Sequence, residues 1–407
     1  MTKDLRAQSG TSEDLFAKCS SRRVDEYRLA RSVGLLPYFQ EMASASGPVV
    51  TLDGHDVIML GSNNYLGLTD DPRVKAAAID AVERYGSGCT GSRLMNGTLP
   101  LHRELEEELR DWVGGDACLV FTTGYAVNLG VISTLVGARD VVFVDAASHA
   151  SIIDGARMAA GSVKSFRHNS VEALERRLGE WSAKAEGGAA LVAVDGVYSM
   201  EGDLAPVRAI ADVCAATGSR FLVDEAHALG VVGPAGAGAA AGADVTADLI
   251  MGTFSKSLAS CGGFVTGPSD VIDFLRVSCR PFLFTASGVP AALAAALAAT
   301  RIARREDWRR EAVAERAAQL RHGLSELGYV AGPDDGGAIV SIQIGDDWAA
   351  AQLWRTLVDA GVYTNCAVAP AVAPGRALLR TSVMATHTER HIHDALAAFG
   401  EARSTSA

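Results

Sequence analysis

The segment Arg220-Phe-Leu-Val-Asp-Glu-Ala-His227 shows the pattern that repeats along this chain. A helical segment, residues 207–216, precedes an apolar run that ends abruptly in polar side chains. Near-continuous apolar strands that alternate with helices are typical of a mostly parallel sheet covered by helices on both faces. In such sheets ligands bind outside the carboxyl ends of the strands, where Asp224 and His227 fall. Taken alone, the pair is better explained as an acidic helix cap and a solvent-facing histidine.

The alternation of strands and helices extends from about residue 71 to about residue 290. The predicted strands span residues 117–121, 141–144, 163–166, 189–194, 220–223, 249–251 and 263–266. Beyond residue 290, long helical segments with two strands, residues 339–344 and 377–381, predict a smaller α+β domain. The predicted regions are an arm with a short strand pair (1–60), a large cofactor-binding domain (61–290) and the α+β domain (291–407).

The two ends of the chain are predicted to be less regular. Residues 1–21 are polar and without periodicity, which indicates a mobile arm, and residues 401–407 form a polar tail. Between the arm and the first strand, residues 25–42 are expected to form a helix.

Composition excludes several classes of protein. The net charge of −11 argues against a nucleic-acid-binding surface, which requires basic residues. The seven cysteines are scattered and form no Cys-x-x-Cys pair, so neither a disulfide framework nor a zinc site is expected, and a reducing cytoplasm is the natural location. The chain has no apolar run long enough for a transmembrane helix, and no signal peptide is expected.

A lysine lies among small and hydroxylated residues in Gly252-Thr-Phe-Ser-Lys256, directly after an apolar run. Lysine is rarely buried because its charge must be desolvated, and a desolvated lysine shifts towards the neutral amine that attacks carbonyl groups. Lys256 is therefore a candidate Schiff-base lysine. A surface lysine in a turn between two strands explains this segment alone equally well.

Two glycine-containing loops are candidate anion sites. Gly86-x-Gly88-x-x-Gly91 matches the dinucleotide fingerprint, but it follows a helix instead of a strand, so a flexible loop on the substrate side is the better interpretation. Phe121-Thr-Thr-Gly-Tyr-Ala-Val-Asn128 has the better context, because an apolar strand ends there and a helix begins. Free backbone N–H groups and the positive end of the helix favour a phosphate at such a turn. An ordinary strand-to-helix turn is an equally good explanation in isolation.

Histidine 149 follows another predicted strand, in Ser148-His-Ala-Ser151. Its imidazole could stack on a planar ring or cap a helix, and by itself the cap is the better explanation. Considered together, these segments place a phosphate turn, a stacking histidine, Asp224-x-x-His227 and Lys256 at the ends of strands of one sheet. Pyridoxal 5′-phosphate requires such a set: a Schiff-base lysine, an acidic partner for the ring nitrogen and a phosphate site.

Three motifs resemble the α-oxoamine synthases, a family of pyridoxal-phosphate enzymes. They are Ser62-Asn-Asn-Tyr-Leu-Gly-Leu68, Asp224-Glu-Ala-His227 and Gly252-Thr-Phe-Ser-Lys256. The resemblance extends over residues 22–399 and, within the family, is greatest to the bacterial serine palmitoyltransferases. It implies a fold-type I, aminotransferase-like architecture with a mostly parallel central sheet and a smaller C-terminal α+β domain.

The resemblance also implies the site. The cofactor would be bound by Gly124, Tyr125, His149, Ser199, Asp224, His227, Thr253, Ser255, Lys256 and Thr285. Within this set the catalytic residues are Lys256, which holds the cofactor and removes the α-proton, Asp224, which keeps the pyridine nitrogen protonated, and the histidines. His149 would stack on the ring and His227 would contact its phenolic oxygen.

Other roles implied by the resemblance concern phosphate and substrate. Gly124, Tyr125, Thr253 and Ser255 would hold the phosphate, with Thr285 reaching the phosphate of the neighbouring subunit in a homodimer with shared active sites. A further pair would bind the carboxylate of the amino acid: Asn63 and Arg380.

The implied reaction is a decarboxylative condensation of a small amino acid with an acyl thioester, which yields an α-aminoketone, carbon dioxide and a free thiol. The closest resemblance indicates L-serine and a long-chain acyl-CoA. The sequence departs from the sphingolipid type at Asn63-Asn-Tyr65, where that type carries Tyr-Asn-Tyr. Alanine or glycine, with a CoA-bound or carrier-protein-bound acyl group, is therefore the alternative.

Other interpretations remain beside this one. Transamination on the same fold is the second enzymatic alternative, and a non-catalytic protein that binds a nicotinamide nucleotide or a partner is a third. A run of arginines could serve an anionic carrier protein, although a solvated helix face explains it better: Arg301, Arg304, Arg305, Arg309 and Arg310.

Overall fold

A computed structural model describes residues 14–184, 187–334 and 337–406. The first 13 residues of the predicted arm therefore lie outside the described residues, as does the last residue of the predicted tail. The part of the arm that is described includes one turn of 3₁₀ helix, Ala17–Cys19.

The helices and strands alternate through most of the chain. The helices are α1 (Arg22–Ser32), α2 (Pro72–Tyr85), α3 (Pro100–Val113), α4 (Gly124–Leu135), α5 (Ala150–Met158), α6 (Val171–Ser182), α7 (Val207–Thr217), α8 (Ala239–Gly242), α9 (Ser269–Ser278), α10 (Arg280–Leu283), α11 (Pro290–Arg305), α12 (Asp307–Glu326), α13 (Asp347–Asp359) and α14 (Glu389–Ser406). The strands are β1 (Val49–Leu52), β2 (His55–Met59), β3 (Ala117–Phe121), β4 (Val141–Asp145), β5 (Ser162–Phe166), β6 (Ala190–Asp195), β7 (Arg220–Asp224), β8 (Leu249–Thr253), β9 (Gly263–Gly267), β10 (Ile339–Gly345), β11 (Val362–Tyr363), β12 (Asn365–Ala367) and β13 (Ala377–Ser382).

Seven strands form the central sheet, in the order β3-β9-β8-β7-β6-β4-β5. Strand β9 is antiparallel to both of its neighbours, β3 and β8, so β3 points the same way as β8 and the strands beyond it. Alternate residues of β4 enter two hydrophobic clusters on opposite faces: Phe143 belongs to one, and Val142 and Val144 to the other. The predicted sheet, mostly parallel and covered on both faces, is confirmed.

Two small sheets complete the fold. One has the order β10-β13-β12 and is antiparallel, with Arg380 of β13 opposite both Ser341 of β10 and Asn365 of β12. The other joins the N-terminal strand pair to the C-terminal region, because Ile58 of β2 pairs with Val362 of β11. The N-terminal pair therefore packs with the smaller region, and the division of the chain at residues 60 and 290 stays a prediction.

Most predicted elements match the structure to within one or two residues, and the differences have physical reasons. The helix predicted over residues 25–42 is wrong in its bounds: α1 ends at Ser32, since Gly34 takes a φ of 72° and Pro37 cannot continue a helix. The predicted polar tail is also wrong, because α14 continues through Ser406. In the described part of the chain, every helix is too short or too polar to cross a lipid bilayer.

Candidate active site

The carboxyl edge of the central sheet gathers the predicted site residues. Strands β4, β6, β7 and β8 end there in Asp145, Asp195, Asp224 and Thr253. Three or four positions after these ends come His149, Ser199, His227 and Lys256. Because parallel strands share this edge, residues that are far apart in sequence meet above it.

Above the edge lies a cavity of about 1530 Å³. Its polar side, which we call the floor, is formed by Asn63, His149, Ser199, His227, Lys256 and Arg380. Its other side, which we call the outer wall, is formed by α1, by residues 35–39, by the first turns of α13 and by residues 363–371. The structure thus brings six of the predicted site residues to one surface.

Lysine 256 opens into the cavity with its side chain partly exposed. Burial lowers the pKa of its amine to about 8, and the nearby Asp224 opposes that shift. Near neutral pH an appreciable fraction of the amine is therefore neutral, which is the nucleophilic form.

Aspartate 224 is buried beneath the floor, with 3% of its surface exposed. Its Oδ2 accepts a hydrogen bond from Asn128 Nδ2 at 2.7 Å and its Oδ1 accepts one from Ala226 N at 2.9 Å. Asp195, its register partner on β6, has a pKa raised well above the usual value by burial and by the charge of Asp224. Burial beside a second carboxyl group therefore favours the protonated form of Asp195.

His149 caps a helix, as its sequence context favoured, and it also faces the cavity. It is the residue that caps α5, with Ser151 N 3.3 Å from its Nδ1, and it lines the floor. Burial lowers the pKa of its imidazole, so the ring is neutral at physiological pH. A neutral aromatic face in the floor is suited to stacking on a planar ligand.

The start of α4 touches the end of β8. A Cβ atom on Gly124 would lie 2.8 Å from the Thr253 side chain, so only glycine allows this approach. Thr253 Oγ1 lies 2.9 Å from Ser255 Oγ, which sets two hydroxyl groups beside the positive end of the helix. Tyr125 is exposed at this point, and its ring centroid lies 6.4 Å from that of His149.

Arg380 is a charged residue of the floor, and only 3% of its surface is exposed. Its Nε donates to the Ser199 carbonyl, and its Nη2 donates to Asn63 Oδ1 at 3.0 Å and to Tyr65 Oη at 3.1 Å. All three partners are neutral oxygen atoms, and no carboxylate of the described residues forms an ion pair with it. A buried guanidinium without a counter-ion is costly, which favours an anionic ligand in the cavity.

Tyrosine 65 links the polar groups of the floor to one another. It is fully buried, and its hydroxyl lies 2.7 Å from His227 Nδ1 and 3.1 Å from Asn63 Oδ1. Burial, with the charges of Lys256 and Arg380, holds the pKa of His227 well below its usual value, so this imidazole is neutral.

Three functional residues were missed at the sequence level: Tyr65, Asn128 and Asp195. Tyr65 belongs to a motif quoted above, but no local pattern indicates a role for its side chain. Asn128 and Asp195 carried a weak signal, since the first lies one turn into the helix after the phosphate turn and the second ends an apolar strand beside Asp224. Asn128 donates to Asp224, which lies 96 positions away, and Asp195 lies beside Asp224 only because β6 and β7 are neighbours in the sheet.

Thr285 and the glycine loop lie apart from the cavity. Thr285 lines a separate small pocket with Phe121 and Thr122, at the end of β3. The loop that contains Gly91 packs against the neighbouring segment, with Ser287 N donating to Gly91 O at 2.9 Å. Within a single described chain, the loop therefore does not reach the substrate side that was expected for it.

The arginines of the region 301–310 are largely engaged in ion pairs. Arg301 and Arg304 pair with Glu108, Arg309 pairs with Asp71, and Arg310 pairs with Asp307. The charges of these four arginines are compensated within the chain, and the described residues show no ion pair for Arg305.

The residues fit pyridoxal 5′-phosphate. The cavity offers an amine of lowered pKa at Lys256 and a neutral imidazole at His149, with the buried carboxyl group of Asp224 beneath them. The close approach of α4 to β8 at Gly124, which any side chain at that position would prevent, brings the N-terminal N–H groups of the helix beside two hydroxyl groups, a combination suited to a phosphate. The fold and the site together define a pyridoxal-phosphate enzyme of the aminotransferase fold.

Comparison with known proteins agrees with this class. Residues 55–399 match the family model for aminotransferase class I and II. The serine palmitoyltransferase of Caulobacter vibrioides is 43% identical over 390 residues, which cover 95% of this chain and 96% of that protein. The solved serine palmitoyltransferase of S. paucimobilis, with bound PLP–myriocin aldimine, superimposes with a TM-score of 0.93 at 39% identity, over 97% of this chain and 99% of that one.

A more distant structure shares the fold alone. The 8-amino-7-oxononanoate synthase of Francisella tularensis superimposes with a TM-score of 0.73 at 22% identity, over 86% of this chain and 98% of that one. The chain belongs to the aminotransferase class I and II family, and within it to the α-oxoamine synthases. It is a pyridoxal-phosphate-dependent acyltransferase of that type.

Proposed function

We propose that this enzyme condenses L-serine with a long-chain acyl-CoA, with release of carbon dioxide and free CoA, to give a long-chain α-aminoketone. One observation carries the proposal: the buried Arg380, without a carboxylate partner in the described chain, faces the cavity that Lys256 opens into, and the other side of that cavity combines a set of apolar side chains with charged ones from α1 and the start of α13. The S. paucimobilis and C. vibrioides relatives, both serine palmitoyltransferases, support the choice of substrates.

The cofactor set is proposed as follows. Pyridoxal phosphate, when bound, supplies an electron sink for the charge that develops on the α-carbon of the amino acid. Gly124, Tyr125, Thr253 and Ser255 would hold its phosphate through backbone N–H and hydroxyl groups beside the start of α4. On the far side of the ring, Asp224 would hold the proton on the pyridine nitrogen.

Asp224 suits that task because its two hydrogen bonds fix its orientation beside Asp195, whose pKa is raised by burial. His149 would lie against the ring face, since a neutral imidazole avoids charge repulsion with a protonated ring. His227, neutral and held by Tyr65, would contact the phenolic oxygen, and Ser199 would line the pocket beside it.

Lys256 would take the α-proton of the amino acid. Because its pKa is about 8, its neutral and protonated forms are both populated near neutral pH, which suits a group that accepts a proton and returns it. Arg380 and Asn63 would bind the carboxylate, and the planar guanidinium matches the two carboxylate oxygens.

The outer wall would receive the acyl chain. Its apolar residues include Tyr27, Ala30, Leu35, Leu36, Pro37, Tyr38, Phe39, Trp348, Ala351, Val368, Ala369, Pro370 and Ala371. Pockets for compact ligands hold about 300–1,000 Å³, and this cavity of about 1530 Å³ leaves room for more. Each methylene that leaves water on this surface contributes about 0.8 kcal/mol, which favours long chains.

The quaternary state and the location are proposals as well. We expect a homodimer in which Thr285 of one chain reaches the phosphate of the other, because Thr285 lies outside the cavity of its own chain. A reducing, cytoplasmic location suits the seven cysteines, all of which are free.

A competition experiment tests the proposal. The purified enzyme is incubated with equal concentrations of serine, alanine and glycine and with acyl-CoAs of several lengths, and the products are identified by mass. Serine joined to a long chain is expected to dominate. If alanine or glycine joined to a short acyl chain dominates, the proposal is wrong and the alternative suggested by Asn63-Asn-Tyr65 is correct. If the reaction requires an acyl-carrier protein, only the CoA part of the proposal is wrong.

A further inference from the structure

The segment between Val197 and Leu204 is a closed turn that overhangs the floor. Val197 and Leu204 pair as an isolated bridge, Tyr198 N donates to Asp203 O at 3.0 Å, and Gly202 N donates to Tyr198 O at 2.9 Å. Ser199 lies within this turn, and its carbonyl accepts the hydrogen bond from Arg380 Nε. The orientation of the guanidinium therefore depends on where the turn is held.

One side of the turn is tied to the central sheet by His168, which follows β5. His168 Nδ1 lies 2.9 Å from Asp145 Oδ1, at the end of β4, and its Nε2 lies 3.0 Å from Asp203 Oδ2, in the turn. Asn169 repeats the connection, since its backbone N donates to Asp145 Oδ2 and its Nδ2 donates to Asp203 Oδ2, both at 2.8 Å. The ring of Tyr198 meets that of His168 edge to face at 4.4 Å.

The opposite side of the turn contacts the C-terminal sheet. Ser341 Oγ of β10 donates to Glu201 O at 2.9 Å, and a Cβ atom on Gly202 would lie 2.9 Å from Ile339 Cγ2. Since β10 pairs with β13, which carries Arg380, the turn spans the distance from the central sheet to the strand that supplies the guanidinium.

The link between Asp145 and Asp203 requires a charged imidazole. Both ring nitrogens of His168 face carboxylates, so both must donate, which only the protonated ring can do. Burial disfavours that charge, but the hydrogen bonds to Asp145 and Asp203 outweigh it and raise the pKa of His168 to about 10. The two carboxylates would otherwise face an uncharged ring with a single donor.

We propose that His168 is a positioning residue for amino-acid recognition: it holds the turn 198–203 against the central sheet, and the Ser199 carbonyl in turn fixes the plane of Arg380. The inference rests on the proposed function, in which Arg380 binds the carboxylate of the substrate. A displacement of about 1 Å in a positioning group is enough to cost on the order of 100-fold in an enzymatic rate.

The test compares His168→Gln with wild-type holoenzyme on two ligands, L-serine and L-serine methyl ester. Binding is followed by the spectral change of the bound cofactor. The ester lacks the carboxylate, so its binding does not depend on the plane of Arg380. We expect the dissociation constant and KM for serine to rise about 10-fold, with kcat changed by less than about 3-fold and the ester bound as in wild type.

A matched control is His322→Gln on α12, where an exposed histidine lies 3.3 Å from Glu326, remote from the cavity. Asp203→Asn weakens the same contact between His168 and the turn while preserving the shape of the side chain. If His168→Gln does not fold, serine and ester binding are compared in this variant instead. Unchanged serine binding in both variants would overturn the inference, as would an equal loss for serine and its ester. No response of the wild-type spectrum to any amino acid would overturn the proposed function, and this inference with it.

Discussion

The floor and the outer wall of the cavity differ in how firmly they are held. Arg380 of the floor, and Asp224 and Tyr65 that support the floor from beneath, are all at least 97% buried and hydrogen-bonded to partners from other elements. On the outer wall, α1 contains no fully buried residue, and Phe39 is 88% exposed. The difference fits the proposed division of tasks, in which preorganised polar groups set the chemistry and the acyl chain would meet a surface that can adapt to its length.

The largest effect is expected at the base of the floor. Lys256→Ala removes the amine that we propose binds the cofactor and moves the proton, so condensation activity should fall by at least about 10³-fold. The measurement is thiol release from an acyl-CoA, together with the visible absorption of the bound cofactor. Lys75→Ala, at an exposed lysine paired with Asp70, is the control. Activity within tenfold of wild type would remove Lys256 from the mechanism.

The outer wall is tested by a charge placed in the proposed acyl site. Leu36→Asp would place a charged carboxylate against the acyl chain in the proposed acyl site, so kcat/KM for palmitoyl-CoA should fall about 10- to 100-fold. Binding of serine should not change. The matched control is Leu29→Asp, because Leu29 lies on the same segment but is exposed and outside the cavity lining. If both variants lose the same kcat/KM, or if serine binding weakens, the outer wall is not a separate acyl site.

Within the floor, Tyr65→Phe deletes one hydroxyl that joins His227, Asn63 and Arg380. The loss of a buried hydrogen-bonding group costs about 1–2 kcal/mol, which corresponds to roughly tenfold weaker binding of serine. Tyr329→Phe serves as control, since it removes a hydroxyl that donates to Phe399 O at 3.0 Å elsewhere in the fold. Serine kinetics unchanged in the Tyr65 variant would show that the floor does not depend on this link.

The smallest expected effect concerns pH and stability. The pKa of His168 is raised to about 10 when folded, against 6.5 when unfolded, by Asp145 and Asp203. Its contribution to stability is therefore complete below pH 6.5 and is lost as the pH rises towards 10. The Tm of wild type should exceed that of His168→Gln by about 2 °C at pH 6, with the gap closing at pH 10.5. An equal gap at both values would show that the imidazole is not charged in this pH range.

Sequence alone predicted the site residues that lie at or just after the ends of parallel strands. Lys256, Asp224 and His149 were identified by the change from apolar strand to polar turn, and parallel strands bring such turns together. Tyr65 and Asn128 could not be found in that way, since their partners lie 162 and 96 positions away. The tie from His168 to Asp203 was equally invisible, because it depends on how β4, β5 and the turn meet.

The same limit applies to the fold. Helix α5 was expected only as the helix that His149 could cap, without bounds, because it is short and contains Gly155; β11 and β12 were missed because they have only two and three residues. The pairing of β2 with β11 joins Ile58 to Val362, and no local sequence pattern predicts this contact. Long apolar strands and capped helices were predictable, whereas packing between distant segments was not.

The central claim is that one cavity joins an amino acid bound at the floor to an acyl chain bound at the outer wall, with loss of the carboxylate. It is tested most directly with L-serine labelled with ¹³C in the carboxyl group, together with palmitoyl-CoA, by measuring labelled carbon dioxide and free thiol in one reaction. We predict one carbon dioxide for each thiol, and neither product when one substrate is omitted. Amino transfer to a keto acid without thiol release, or thiol release without labelled carbon dioxide, would contradict the account.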